Sequence, residues 1–309
     1  METIIGLGQA GCNIADEFSK YKQYKIYKVD HGLEGLRQDG NYTMPWQDGP
    51  ERYEERCPDM SKFFKDVEGE VLFVVGGSGN ISGASLRVLE YLKNCDVNIL
   101  YIRPETEVID IIKIRQEWTT FNILQEYARS GVFKRIYLID NSQVEKHIGN
   151  VPVIGYYERL NEMIVSSFHM VNVYNHIDSV NNNFSEPRKG RRISTIGFYD
   201  SENNENKLFY LLDNVGEMRY YYAINKKKLE TDGEILKNIR KQIGNEIPTG
   251  YGIYATEYEQ DYVYTVAYSS EIQRQKKWKK HLTNRIHCGI MNIAEWEIGH
   301  SDFTQTKEK

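Results

Sequence analysis

Two glycine-rich segments carry the strongest chemical signal in the sequence. The first, Gly6-Leu7-Gly8-Gln9-Ala10-Gly11, ends an apolar run from Thr3 and opens a helix-like stretch from Cys12 to Tyr21. Its Gly-x-Gly-x-x-Gly spacing lets the backbone approach a pyrophosphate, whose negative charge then faces a helix N-terminus. Asp30 closes the next strand 19 residues after Gly11, the place of a ribose-binding carboxylate in a nicotinamide-dinucleotide site. An NAD(P)-dependent oxidoreductase using Gly6, Gly8, Gly11 and Asp30 is therefore one reading. A tight strand-to-helix turn with no ligand is the plainer one.

The second segment, Gly76-Gly77-Ser78-Gly79 with Ser82-Gly83, follows the buried-strand run Glu70–Val75 and opens another helix. Two such loops put two sets of backbone N–H donors at one sheet edge. That suits a triphosphate wrapped from two sides better than a dinucleotide, which needs one loop. Neither loop has the Gly-Lys-Ser/Thr of a Walker P-loop.

The elements around these loops alternate. Strands are predicted over 25–30, 70–75, 97–102 and 135–139, with helices over 84–94 and 105–129, the latter closed by Gly131. This is the pattern of a parallel sheet covered on both faces. Residues 32–58, rich in Gly, Asp and Pro, read as a long surface loop. Pro152 opens a helix carrying Ile154, Leu160, Ile164, Phe168 and Val171. Beyond Asn172, strands over 192–199, 207–212, 219–224, 251–257 and 262–269 surround one helix, 233–243, as in an α+β domain. Asp213-Asn214-Val215-Gly216 reads as a hairpin turn between two of them. The resulting division is a Rossmann-like α/β domain (1–152), a central helix (153–175), a smaller α+β domain (176–270) and a C-terminal helix and tail (271–309).

Composition narrows the function classes. With 40% apolar and 27% charged residues the chain can bury a core, which excludes wholesale disorder. A net charge of −5 argues against gripping nucleic acid over the whole surface. No window approaches the ~18 apolar residues of a membrane span. Cys12, Cys57, Cys95 and Cys288 form no Cys-x-x-Cys pair and the histidines form no His-Glu-x-x-His, so neither a disulfide framework nor a zinc site is expected. An N-terminus without a secretory pattern and these scattered cysteines fit the cytoplasm.

Several segments resemble the tubulin/FtsZ superfamily. Gly8-Gln9-Ala10-Gly11-Cys12-Asn13 is similar to its first phosphate loop. Val75-Gly76-Gly77-Ser78-Gly79-Asn80-Ile81-Ser82-Gly83 resembles the signature Gly-Gly-Gly-Thr-Gly-Ser-Gly-x-Gly without a gap, departing at Val75 and Ile81. The second departure puts a side chain near the phosphates. Ile139-Asp140-Asn141 is similar to a Val-Asp-Asn whose Asn reads guanine, and Thr119-Thr120 echoes tubulin. Tyr157 to Ile164 resembles the start of the family's central helix, in which the Tyr stacks on guanine and the Asn one turn on, here Asn161, bonds its edge. Positions i and i+4 share a helix face, so one base can touch both. In length and organisation the chain is closest to phage and plasmid tubulins of the TubZ and PhuZ groups.

The resemblance implies a GTPase that binds GTP or GDP with Mg2+ and polymerises head to tail, possessing no dedicated metal ligands. Gly8, Gln9, Ala10, Gly11, Cys12, Gly76, Gly77, Ser78, Gly79 and Asn80 would line the phosphates. Hydrolysis would use an acid placed after the central helix and supplied to the next subunit. Asn181-Asn182-Asn183-Phe184-Ser185-Glu186 resembles the family's Asn-x-Asp-x-x-Glu/Asp, making Glu186 the acid with Asn183 where an Asp is usual. Asp178 in His176-Ile177-Asp178-Ser179-Val180-Asn181 is the competing placement. The departures at Ile81 and Asn183 leave room for a member that binds nucleotide without hydrolysing it. Arg274, Lys276, Lys277, Lys279, Lys280 and His281 crowd around Trp278 on an amphipathic helix. That is the solvated face of a packed helix, or a surface for a neighbouring subunit, an adaptor or a DNA complex.

Overall fold

The computed structural model describes residues 2–33, 40–105, 109–243 and 246–274. Trp278, the basic cluster beyond Arg274 and the 295–309 tail lie outside them.

Strand β1 (Thr3–Leu7) is buried along its whole length, because helices cover both faces of the sheet it centres. It pairs in parallel with β2 (Lys25–Asp30) on one side and β4 (Glu70–Gly76) on the other. The parallel half continues through β3 (Asn41–Thr43), β5 (Asp96–Arg103) and β6 (Arg135–Asp140), in the order β3-β2-β1-β4-β5-β6. Alternate residues explain the two layers. Ile5, Phe73, Val75 and Ile99 pack with Val88 and Leu89 of α3 (Ser85–Glu90) and with Phe121 and Leu124 of α4 (Ile111–Ser130). Ile4, Leu72, Val74 and Leu100 pack with Ile14 and Phe18 of α1 (Gly8–Phe18) and with Leu160, Ile164 and Phe168 of the central helix (Tyr156–Tyr174). Unbroken apolar strands are what such a doubly covered sheet requires.

The sheet runs on into a mixed half. A two-residue parallel ladder, Ile136↔Ile193 and Tyr137↔Ser194, joins β6 to a strand over Ile193–Asp200. Beyond it lie antiparallel Tyr262–Ser269, then Glu217–Asn225, then Thr249–Thr256, with Asn181–Asn182 on the edge.

Five expectations change. Helix α4 starts at Ile111, six residues later than read from the pattern, because the Asp110 carboxylate caps the N–H groups of Ile112 and Lys113 at 2.9 Å each. The 32–58 stretch contains β3 and a helix, α2 (Pro50–Glu55), anchored by buried Tyr42, Met44 and Tyr53, which are too widely spaced to show a period. A helix over Asn141–Ile148, here α5, had no counterpart in the sequence pattern, and the central helix, α6, starts at Tyr156 after left-handed Gly155. The hairpin also moves. Glu205–Leu208 pairs back onto Ile193–Asp200 through a turn ending at left-handed Asn204, so Asp213–Gly216 is a connection between unpaired strands.

Contacts at its two ends fix the direction of α6. At its start the Tyr156 hydroxyl donates to Glu105 Oε1 (3.1 Å), just past the end of β5. At its end His176 Nε2 lies 3.7 Å from Glu70 Oε2, at the beginning of β4. The helix therefore runs antiparallel to the strands, from their C-terminal edge to their N-terminal edge. Its 19 residues span about 28 Å at ~1.5 Å per residue.

Helix α6 is held to the body partly through a buried imidazole. His169 stacks on Tyr21 with ring centroids 3.7 Å apart, and its Nδ1 lies 2.8 Å from the Tyr24 hydroxyl. Burial lowers its pKa, as it does that of His147. The unfolded chain takes up protons near pH ~6.5, where the native rings resist them, so stability falls as pH drops below that value. Thermal melts at pH 7 and pH 5 should show this loss, and His169→Gln should make it shallower.

Candidate nucleotide-binding site

Both glycine loops leave neighbouring strands at the same sheet edge, since β1 and β4 pair with Leu7 opposite Val75. Their closeness is steric fact. A Cβ on Gly76 would lie 2.9 Å from Ala10 Cβ, and one on Gly11 would lie 2.4 Å from the Val74 carbonyl oxygen. Gly8 has φ +71°, and a Cβ there would meet Ile81 Cγ2 at 2.6 Å. Ile81 is thus buried against Gly8 and the core, so its side chain packs directly against the first glycine loop. A Cβ on Gly77 would collide with the Tyr101 hydroxyl at 1.8 Å. Gly79 differs: nothing lies within 4 Å of its missing side chain. A glycine that packing does not require leaves its backbone open to close approach by a ligand.

The electrostatics favour an anion. Helix α1 has neither a side-chain cap nor an acidic residue in its first turn, so the positive helix end is unopposed. Gln9 and Ala10 are exposed there. Cys12 is buried; burial pushes its thiol up to about 12, and it donates weakly to the Gly6 and Val29 carbonyls. It packs the loop and does not act as a nucleophile.

Helix α4 braces the second loop. Gln116 Nε2 donates to the Gly79 carbonyl and to Ser82 Oγ (3.2 Å), while the Ser82 and Thr120 hydroxyls are 3.3 Å apart. Beneath Gly77 the Tyr101 hydroxyl lies 3.1 Å from the Glu117 carbonyl and 3.2 Å from its Oε1. Arg103 joins this fully buried carboxylate to Asp140, at 3.5 and 3.4 Å. Asp140 in turn caps α5, accepting from Ser142 N at 3.0 Å, which fixes Asn141 at the edge of the sheet. Tyr157, 56% exposed, and half-buried Asn161 lie one turn apart at the start of α6, at that same edge. Helix α6 packs on both α1 and α5.

The two acids lie elsewhere. Asp178 and Glu186 are exposed and follow α6, so they sit at the opposite edge of the sheet and do not meet the loops of their own chain. Asp30 ends β2 beside β1, its Oδ1 accepting from His31 N at 2.8 Å.

The fold recurs in solved structures. A GTPγS-form protofilament of TubZ from Bacillus thuringiensis serovar israelensis superposes with a TM-score of 0.70 at 17% identity, covering 93% of each chain. The chain has the tubulin/FtsZ fold. CetZ from Methanosaeta thermophila gives 0.65 at 17% identity over 97% of this chain and 91% of that one. The M. jannaschii FtsZ dimer gives 0.65 at 14% identity over 89% and 92%. No family model and no curated protein matches the sequence.

Within the tubulin/FtsZ fold, sequence reasoning missed Gln116 and the Tyr101–Glu117–Arg103–Asp140 network. These residues are separated by up to 39 positions and meet only through strand pairing and the packing of α4 on the sheet. No local pattern marks them.

The glycines separate packing from ligand roles. Gly11→Ala and Gly77→Ala should each destabilise the fold by about 1–3 kcal/mol or more, because backbone or buried side chains must move. Gly79→Ala should stay within ~0.5 kcal/mol. Urea denaturation of the three variants checks this ranking.

Proposed function

We propose that the chain binds a guanine nucleotide at the glycine-loop edge and assembles head to tail with its own copies, each triphosphate being hydrolysed with an acid from the next copy. One observation carries this reading. The phosphate-type loops and the acids Asp178 and Glu186 sit at opposite ends of α6, so one chain alone does not bring them together. Stacking a second copy end to end does. The solved relatives support it: TubZ is known as protofilaments in GTPγS and GDP forms, and FtsZ as a dimer.

In this reading the backbone N–H groups of Gly8 to Cys12 and Gly76 to Asn80, with the Ser78 hydroxyl, hold the phosphates. Asn141 and Asn161 bond the edge of the base, and the exposed Tyr157 ring stacks on its face. Among the described residues no three His, Cys, Asp or Glu side chains cluster as metal ligands, so Mg2+ would rest on phosphate oxygens and water, with Gln9 as an indirect contact. Bound Mg2+ supplies charge neutralisation to the phosphates. Phosphoryl transfer otherwise needs positioning and an oriented water, which the Glu186 carboxylate provides across the interface. Positioning of phage or plasmid DNA in a host cytoplasm, with an adaptor or DNA bound by the basic C-terminal residues, is the role that extends this reading to the cell. No helix among the described residues is long and apolar enough to cross a membrane.

Nucleotide extracted from the purified protein should be guanine, and adding GTP with Mg2+ should raise light scattering and release phosphate. Glu186→Ala should keep the scattering and lose phosphate release by ~10²-fold or more, the scale of a lost acid–base group. No assembly and no release from the unaltered chain would overturn the reading; unchanged release from Glu186→Ala would overturn that assignment. Gly79→Val should weaken guanine-nucleotide binding at least tenfold, on the order of 1.4 kcal/mol, with an unchanged melting temperature.

A further inference from the structure

The segment that presents Glu186 is held on both sides. Asn181 and Asn182 pair as a short edge strand with Ile253 and Gly252, and Val180 N donates to the Ile253 carbonyl at 2.7 Å. Asn183 continues the pairing twice over: its N–H donates to the Tyr251 carbonyl (3.0 Å), and its Oδ1 accepts from Tyr251 N (2.6 Å). A carboxylate would accept that second bond equally well, so Asn here does structural work an Asp also could.

Phe184 then lies over a floor made of glycine. A Cβ on Gly252 would be 2.6 Å from Phe184 Cε2, and one on Gly250 would be 3.0 Å from Cδ1. Arg219 covers the ring from the side, its guanidinium carbon 5.3 Å from the Phe184 centroid and 5.6 Å from that of Tyr268. The same guanidinium donates through Nη2 to the Ser185 carbonyl, the residue before Glu186. On the other side, Glu217 Oε2 accepts from Arg188 N (3.4 Å) and Arg191 Nη1 (2.7 Å). Glu186 projects from between these pinned neighbours into an open polar cleft that Arg188, Glu217 and Arg219 also line.

We infer that Arg219 is a positioning residue for hydrolysis: held over the Phe184 ring and bonded to Ser185, it fixes the backbone from which Glu186 reaches the neighbouring copy's nucleotide. This rests on the function proposed above. Arg219 lies with Glu186 at the edge of the sheet opposite the glycine loops, so it does not reach its own chain's nucleotide, and its guanidinium is taken up by Phe184 and the Ser185 carbonyl. In this inference its effect passes through the acid. A planar guanidinium suits the task, since it stacks flat on an aromatic ring while donating in its own plane, and an ammonium cannot do both.

The test uses the full chain with GTP and Mg2+, following phosphate release, light scattering and nucleotide affinity. Arg219→Gln should lower phosphate release per assembled subunit roughly tenfold to a hundredfold, the scale of a misplacement of about 1 Å. Nucleotide affinity should stay within about twofold of the unaltered chain and assembly should persist, since the glycine loops are untouched. Arg219→Lys should recover part of the rate. Gly252→Ala, which displaces Phe184 while keeping Arg219, should slow release in the same way. The double variant Arg219→Gln with Glu186→Ala should be no slower than Glu186→Ala alone. Release at the unaltered rate from folded Arg219→Gln, or a double variant slower by the full Arg219 factor, overturns the inference. If Arg219→Gln does not fold, Arg219→Lys and Gly252→Ala decide: unaltered rates from both overturn it. An unaltered chain that releases no phosphate overturns the proposed function instead, so the two failures are distinct.

Discussion

The in-register parallel pairing of β1 with β4 is the contact on which the site depends. Placing Leu7 opposite Val75 brings two loops to one edge, close enough that Gly11 meets the backbone of β4 and Gly76 meets Ala10. A slip of one residue would turn the alternating core residues of either strand to the wrong layer, so the burial of both faces holds the register. The register in turn holds the loops. Little freedom remains there, which is why most of these glycines are explained by sterics and Gly79 stands apart.

Helix α6 turns that local geometry into a property of the assembly. It starts beside Glu105 at the loop edge and ends beside Glu70 at the other edge, and the chain then enters the edge strand that carries it to Glu186. Apolar packing of Leu160, Ile164 and Phe168, with the His169–Tyr21–Tyr24 contact, keeps the helix straight against the sheet. It works as a rigid spacer. The glycine loops and Glu186 are thereby held apart in one chain, and in the function proposed here a second copy brings them together.

Much of this was legible in the sequence because it is written in local patterns. Glycine spacing after an apolar run marks both loops, and the run of alternating strands and helices marks the parallel half. Tyr157 and Asn161 are picked out by the resemblance to the family's central helix, and helical spacing puts them on one face. What escaped has physical reasons. Helix α5 begins at a cap, Asp140, that the sequence presents as the end of a strand, and Tyr42 and Tyr53 anchor a segment whose composition resembles a loop. That Ile81 packs against Gly8 is likewise a contact no local pattern announces. Gln116, Arg103 and Arg219 act on residues distant in sequence, and only helix packing, for Gln116, and strand pairing, for the two arginines, bring them into reach.

The composite site is tested most directly by the dependence of GTP hydrolysis on protein concentration. Phosphate release per subunit should be near zero at low concentration and rise steeply above a threshold, where light scattering also begins. Release strictly proportional to protein concentration, down to the most dilute sample, would show that one chain holds a complete site and would contradict the account.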